Sequence, residues 1–121
     1  GRSLYVANAA GWAFSVDLET LKVNWSTKFA FNSTPDSWNV TVCDPPGLVF
    51  VMGENDPPTV LSALRASDGE VVWKYHLTAA VYNFLPSVWV EEDRFVFCDS
   101  GGGIYCLQIS DGKPIWENIE A

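Results

Sequence analysis

Ala63-Leu64-Arg65-Ala66-Ser67-Asp68-Gly69-Glu70-Val71-Val72-Trp73 reads as a single hairpin. A short apolar run leads into Asp-Gly, and a second run closes on tryptophan. Asp68-Gly69 is a strong turn signal, because a tight hairpin needs positive φ and glycine supplies it without a Cβ clash. The phrase recurs on both sides. Ile109-Ser110-Asp111-Gly112 precedes Lys113-Pro114-Ile115-Trp116, and Leu18-Glu19-Thr20-Leu21 precedes Lys22-Val23-Asn24-Trp25. The three tryptophans are separated by 48 and then 43 residues. A period in this range decides the architecture before any local reading does.

Two β runs precede each turn. The nearer ones are Ala13–Asp17, Val60–Leu64 and Ile104–Gln108, and the earlier ones are Leu4–Ala7, Leu48–Val51 and Phe95–Cys98. Ala9-Ala10-Gly11 and Gly101-Gly102-Gly103 mark the turns between them. The middle unit has a longer connection, Gly53–Thr59, with Pro57-Pro58. Ser37–Val42 and Ser87–Val90 predict one further strand in the second and third units. The strand count is therefore three, then four, then four. No segment carries helical periodicity with a cap, and apolar Ala79–Tyr82 is short and ends near Pro86. The expected fold is all-β, a meander of short antiparallel strands in one repeat domain over 1–121.

Composition agrees with a folded domain and removes several functions. The chain has 121 residues, 48% of them hydrophobic and 18% charged. That is enough apolar material for a core. Seven Lys and Arg stand against 15 Asp and Glu, a net charge of -8. Nucleic acid and anionic membranes both need clustered cations, so neither is an expected partner. No apolar run approaches the ~20 residues of a membrane span, and no signal-peptide pattern is read at Gly1-Arg2-Ser3. Three cysteines without CxxC spacing and a single His argue against a zinc site.

A four-stranded unit of this period is the signature of a β-propeller blade, similar in its architecture to WD-type repeats. The closing phrase resembles the PQQ-like, or quinoprotein-type, repeat Ala-Leu-Asp-x-x-x-Gly-x-x-x-Trp. Residues 63–73 match it everywhere except Arg65, and the third unit keeps Leu107, Gly112 and Trp116. The first unit keeps Val16, Asp17, Thr20 and Trp25, but Leu21 stands where the family has Gly, which argues against a tight turn there. The resemblance implies a partial propeller of about three antiparallel blades, approximately 1–30, 37–77 and 86–118. It also implies that Trp25, Trp73 and Trp116 are structural anchors packed on the next blade, with Gly69 and Gly112 permitting the turns. Loss of such an anchor is expected to cost roughly 3–5 kcal/mol.

Quinoprotein dehydrogenases hold their cofactor on the axis of a closed ring, with an adjacent cysteine pair and a calcium ion. Here no two cysteines are adjacent, and three blades do not make that ring. No cofactor, metal or catalytic residue is therefore expected. Cys98 and Cys106 flank the triple glycine; a three-residue loop would set them opposite one another, within disulfide range. The alternative is two small buried thiols, with Ser15 and Ala63 at the position equivalent to Cys106. Asn24, Asn32 and Asn39 each begin a glycosylation sequon, Asn32 being the one expected to be accessible. They lean the compartment towards lumenal, periplasmic or secreted. Glu54-Asn55-Asp56 and Glu91-Glu92-Asp93 lack the spacing of a calcium loop and read as solvated charge. His76 has no nucleophile motif beside it.

The leading expectation is a non-catalytic interaction or structural module, either an accessory subunit of a larger assembly or a segment of a larger propeller. Protein partners or self-association would complete its blades. Tyr5, Trp12, Phe29 and Phe31 are the expected interface residues, with internal packing as their alternative role. The competing functional readings are a part of a quinone-dependent oxidoreductase completed by other copies or chains, and a lectin-like propeller.

Overall fold

Eleven strands form among the residues that the computed structural model describes, namely 2–8, 10–30, 40–54, 59–77, 86–99 and 101–118. β1 (Ser3–Ala7), β2 (Trp12–Asp17) and β3 (Val23–Lys28) make the first sheet. β4 (Thr41–Cys43), β5 (Leu48–Glu54), β6 (Thr59–Arg65) and β7 (Val71–Leu77) make the second. β8 (Ser87–Trp89), β9 (Arg94–Cys98), β10 (Ile104–Gln108) and β11 (Pro114–Asn118) make the third, with a 3-10 turn at Val90–Glu92 between β8 and β9. Every pairing is antiparallel between sequence neighbours.

The hairpin that closes each sheet is built the same way three times. The amide of Gly69 donates to the Arg65 carbonyl at 2.7 Å, that of Gly112 to Gln108 at 2.9 Å, and that of Leu21 to Asp17 at 2.8 Å. An aspartate stiffens each turn. Asp17 accepts from the amides of Glu19 and Thr20, Asp68 from Glu70, and Asp111 from Lys113. The first turn is therefore as tight as the others, contrary to the expectation from Leu21. Leu21 adopts φ +61° where Gly69 and Gly112 have +77° and +73°. The two Asp17 hydrogen bonds hold a side-chain-bearing residue in a conformation that costs it roughly 1–2 kcal/mol.

The expected alignment of Cys98 with Cys106 is not found. Asp99, not the three glycines, closes the β9–β10 loop: its amide donates to the Gly103 carbonyl at 2.9 Å, and its carboxylate accepts from Gly101 and Gly103. The longer loop sets Cys98 opposite Ile104 and Cys106 opposite Val96. The two thiols share a face but sit diagonally, about 7–8 Å apart by sheet geometry, too far for a bridge. Both are free, Cys106 buried and Cys98 exposed.

Strand alternation sorts the side chains into two joints. Val49, Val51, Val60 and Leu64 of the second sheet pack with Ala13, Trp25, Phe29 and Ala30. Its opposite face presents Phe50, Met52, Leu61, Ala63 and Trp73 to Phe95, Phe97, Tyr105 and Leu107 of the third sheet. β6 is consequently buried from Thr59 to Leu64 on both faces, the near-continuous apolar pattern of a fully covered strand. Phe50 stacks on Phe95 with 4.8 Å between centroids, and Phe97 on Tyr105 at 4.9 Å.

Gly47 and Gly112 both have positive φ, but a Cβ on Gly47 would meet nothing within 4 Å, whereas one on Gly112 would lie 2.3 Å from the Trp73 ring. Gly47→Ala is thus expected to cost only the backbone strain of about 1–2 kcal/mol. Gly112→Ala should add about 1–3 kcal/mol of overpacking. Equal shifts of the two urea midpoints would show that the tryptophan does not occupy the turn.

Candidate functional site

The joints between sheets are made by an indole resting on a turn. Trp25 lies over Gly69, where a Cβ would come within 2.5 Å of its ring, and its Nε1–H donates to the Ala66 carbonyl at 2.9 Å. Thr27 adds a bond from Oγ1 to the Gly69 carbonyl at 2.7 Å. Trp73 repeats the arrangement over Gly112, donating to the Ile109 carbonyl at 2.8 Å. Each acceptor lies three residues before its glycine. Trp25 and Trp73 are buried, while Trp116, at the same place in the third sheet, is 46% exposed.

A polar seam braces the second joint. Tyr105 donates to the Asp99 carboxylate at 2.6 Å, Tyr75 donates to Glu117, and the two tyrosine rings meet edge to face at 6.1 Å. Burial works against the charged form of Asp99, but the Tyr105 hydroxyl and the amides of Gly103 and Gly101 outweigh it and hold its carboxyl below the ordinary value. Burial first, and then the carboxylate it donates to, push Tyr105 up to about 12; the same causes, with Glu117 as the carboxylate, raise Tyr75.

Among the described residues the outward faces of the first and third sheets expose several large apolar side chains. On the first sheet, Leu4 pairs with Val16, Val6 with Phe14, Trp12 with Lys28, and Val16 with Val23, so these residues share the face turned away from the second sheet. Trp12 is 38% exposed there, with the Lys28 ammonium 5.8 Å from its ring centre. Tyr5 belongs to the opposite face by alternation, paired with Ser15 and 6.1 Å from Trp25. Phe29 is buried in the first joint, its amide bonded to the Gly11 carbonyl. Tyr5 and Phe29 therefore pack internally, Trp12 lies on an open face, and Phe31 falls outside the described residues. Leu4, Val6 and Val23 join Trp12 there. The signal for them was present in Leu4-Tyr5-Val6-Ala7, a strand apolar on both faces.

On the third sheet the open face carries Trp89, Val96, Ile104, Cys106 and Trp116. Ser87, Val88, Trp89, Arg94, Val96, Cys106 and Trp116 line a groove of about 320 Å³ in it. A second, more polar cavity of about 530 Å³ opens beside the first joint, between Ser3, Ser15 and Asn24 on one side and Pro46, Arg65 and Ser67 on the other. Within it Asn24 donates to Ser3 and Ser15, and Arg65 pairs with Asp68 at 2.7 Å. Asn24 thus uses its sequon amide internally; Asn32 and Asn39 lie outside the described residues.

Among the described residues no three His, Cys, Asp or Glu side chains converge as a metal donor set. His76 is exposed on β7. Asp93, expected to be merely solvated, bridges to the neighbouring turn, accepting from the Ser110 amide at 2.9 Å and its hydroxyl at 2.6 Å. Glu54-Asn55-Asp56 cannot be compared, since the Glu54 side chain and residues 55–58 are outside the description. Among the described residues, neither a carboxylate cluster nor an adjacent cysteine pair lines the two cavities above. No described helix is long and apolar enough to cross a membrane.

The family described as outer membrane protein assembly factor BamB matches residues 1–120. No curated protein matches by sequence. Among solved structures, BamB from Moraxella catarrhalis superposes with TM-score 0.72 at 17% identity, over 98% of this chain and 34% of that one. A quinohemoprotein alcohol dehydrogenase from Pseudomonas putida HK5 gives 0.73 at 13%, over 96% and 25%. A europium-containing methanol dehydrogenase gives 0.67 at 16%, over 97% and 23%. The chain therefore spans about a third or less of the length of these structures, and the likeness is one of fold: a PQQ-like propeller fragment.

Trp73→Ala is expected to cost roughly 3–5 kcal/mol, whereas Trp116→Ala should cost about 1 kcal/mol or less because its ring is half in water. This corrects the equal cost expected of all three tryptophans; matching losses in calorimetry would sink it. The Asp99–Tyr105 pair sets a pH window. With the Asp99 carboxyl depressed, its stabilisation is present above an unfolded value near 4 and is lost as pH falls below it. With the Tyr105 phenol raised, stability falls between about pH 10 and 12. Asp99→Asn should flatten the acid limb of a urea-midpoint profile; an unchanged slope would remove Asp99 from the account.

Proposed function

Since this chain belongs to the family of the outer membrane protein assembly factor BamB, we propose that it is a non-catalytic interaction module. It serves as an accessory subunit of a larger protein assembly or as a segment of a larger propeller. The observation that carries this reading is a pair of exposed apolar patches, among the described residues, on the outward faces of the first and third sheets. One is built on Leu4, Val6 and Trp12, the other on Trp89, Ile104 and Trp116. Patches of this kind mark contact with protein.

The catalytic alternative draws support from the dehydrogenases that share the fold. It lacks a donor set among the described residues, and fold likeness carries no chemistry without a site. Family membership also favours action outside the cytoplasm, in the lumenal, periplasmic or secreted space.

A photo-crosslinking amino acid placed at position 12 in the native host is expected to trap a protein neighbour, and the same probe at Lys113 is expected to trap none. Trp12→Ala should abolish capture from a probe at position 4 while changing folding stability by about 1 kcal/mol or less. Equal yields from positions 12 and 113 would overturn the interface. Reduction of a dye acceptor by the isolated chain supplied with quinone and calcium would overturn the non-catalytic reading.

A further inference from the structure

Polar side chains from two sheets converge on the cavity of about 530 Å³ beside the first joint. Ser3 and Tyr5 come from β1, Ser15 from β2, Asn24 from β3, and Arg65 and Ser67 from the end of β6 and the turn beyond it. The volume lies within the range of roughly 300–1,000 Å³ typical of small-molecule sites. One wall is fixed by backbone: the Gly47 amide donates to the Cys43 carbonyl and the Ala66 amide to the Gly47 carbonyl, each at 2.9 Å. On the facing wall Asn24 Nδ2 donates to Ser3 at 3.2 Å and to Ser15 at 3.0 Å, and the Tyr5 ring rests 6.1 Å from Trp25. Walls held in place before a ligand arrives lower the ordering cost of binding it.

The hydrogen bonds within these walls leave further capacity. Asn24 spends its N–H groups on the two serines, so its Oδ1 remains an acceptor. Buried Ser15 accepts through Oγ and keeps its own proton. Neither these groups nor the Tyr5 and Ser67 hydroxyls have a further partner among the described residues. Arg65 is the residue at which 63–73 departs from the repeat pattern. Asp17, at the equivalent place in the first sheet, turns back to accept from the amides of Glu19 and Thr20. A guanidinium has only donors; it reaches Asp68 with Nη1 at 2.7 Å and keeps its other N–H groups at the cavity rim.

Charge then selects the ligand class. Asp68 neutralises Arg65, none of the lining residues carries a carboxylate, and the chain as a whole bears -8. An anion and a cation alike find no net opposite charge there. The walls offer instead several groups that donate and accept, set against the apolar surfaces of Tyr5, Pro46 and Ala66. A peptide presents one donor and one acceptor per residue. A pyranose presents adjacent hydroxyls that each do both, on a ring with apolar C–H edges. We propose that this cavity binds a neutral sugar residue, at a site separate from the outward sheet faces and independent of the interaction reading.

Titration of the isotope-labelled whole chain with methyl α-D-glucopyranoside, methyl β-D-galactopyranoside or N-acetylglucosamine, followed by two-dimensional NMR, tests it. At least one sugar is expected to shift the Asn24 side-chain amide and the Gly47 and Ala66 backbone amides to saturation, while the Lys113 amide stays in place. Tyr5→Phe and Ser67→Ala each remove one hydroxyl, and each should weaken that sugar about fivefold. Asn24→Ala removes an acceptor and the bonds that orient Ser3 and Ser15, so it should weaken binding about tenfold. The proposal is overturned if no sugar saturates these signals, if acetate or N-acetylglycine methylamide shifts them in place of the sugars, or if neither hydroxyl variant weakens the binding. None of these outcomes alters the crosslinking from position 12, so failure of the sugar site and failure of the interaction reading remain distinguishable.

Discussion

An indole seated on a turn that lacks a Cβ is the contact on which the rest of the structure depends. It joins two requirements that are usually separate. The turn needs a residue that tolerates positive φ, and the neighbouring sheet needs room for the largest side chain available. Gly69 and Gly112 meet both demands with one residue. The indole N–H then satisfies a turn carbonyl, so the ring is fixed in orientation as well as depth. Hydrogen bonding and packing reinforce each other at a single point per joint, and the spacing of that point along the chain sets the stacking of whole sheets.

The middle sheet shows what two such joints do. Its central strand has no solvent face, and its apolar residues alternate between two clusters rather than between core and water. In an array of this kind each unit is stabilised chiefly by its neighbours. Among the described residues the outward faces of the first and third sheets mix apolar residues such as Leu4, Val6, Trp89 and Ile104 with polar ones such as Lys28, Arg94 and Gln108. This architecture carries no chemistry of its own. The same scaffold occurs in an assembly factor and in quinone-dependent dehydrogenases because the joint is a matter of packing, and function is added at a face or an axis.

Much of this was legible in the sequence for a physical reason. Turn chemistry, strand alternation and the tryptophan period all repeat, and three registers that agree locate strands and hairpins together. What escaped reading depended on one-residue details. Asp99 lengthened the β9–β10 loop by recruiting two glycine amides, and that moved Cys98 away from Cys106. Leu21 kept a tight turn because Asp17, which the repeat pattern does retain, accepts two amide hydrogen bonds there. Tyr5 and Trp12 looked alike as exposed aromatics. Only the register of β1 against β2 assigns them to opposite faces. Such features rest on side-chain hydrogen bonds of single residues, which composition and periodicity do not encode.

Leu21 has a further meaning when the strain it carries is set against the space it occupies. A glycine there would relieve an unfavourable backbone and would complete the pattern seen in the other two turns. Retaining leucine keeps a cost of roughly 1–2 kcal/mol at a side chain that is largely exposed. Stability therefore does not account for the residue. Its other physical consequence is a Cβ at the position where Gly69 and Gly112 leave room for an indole.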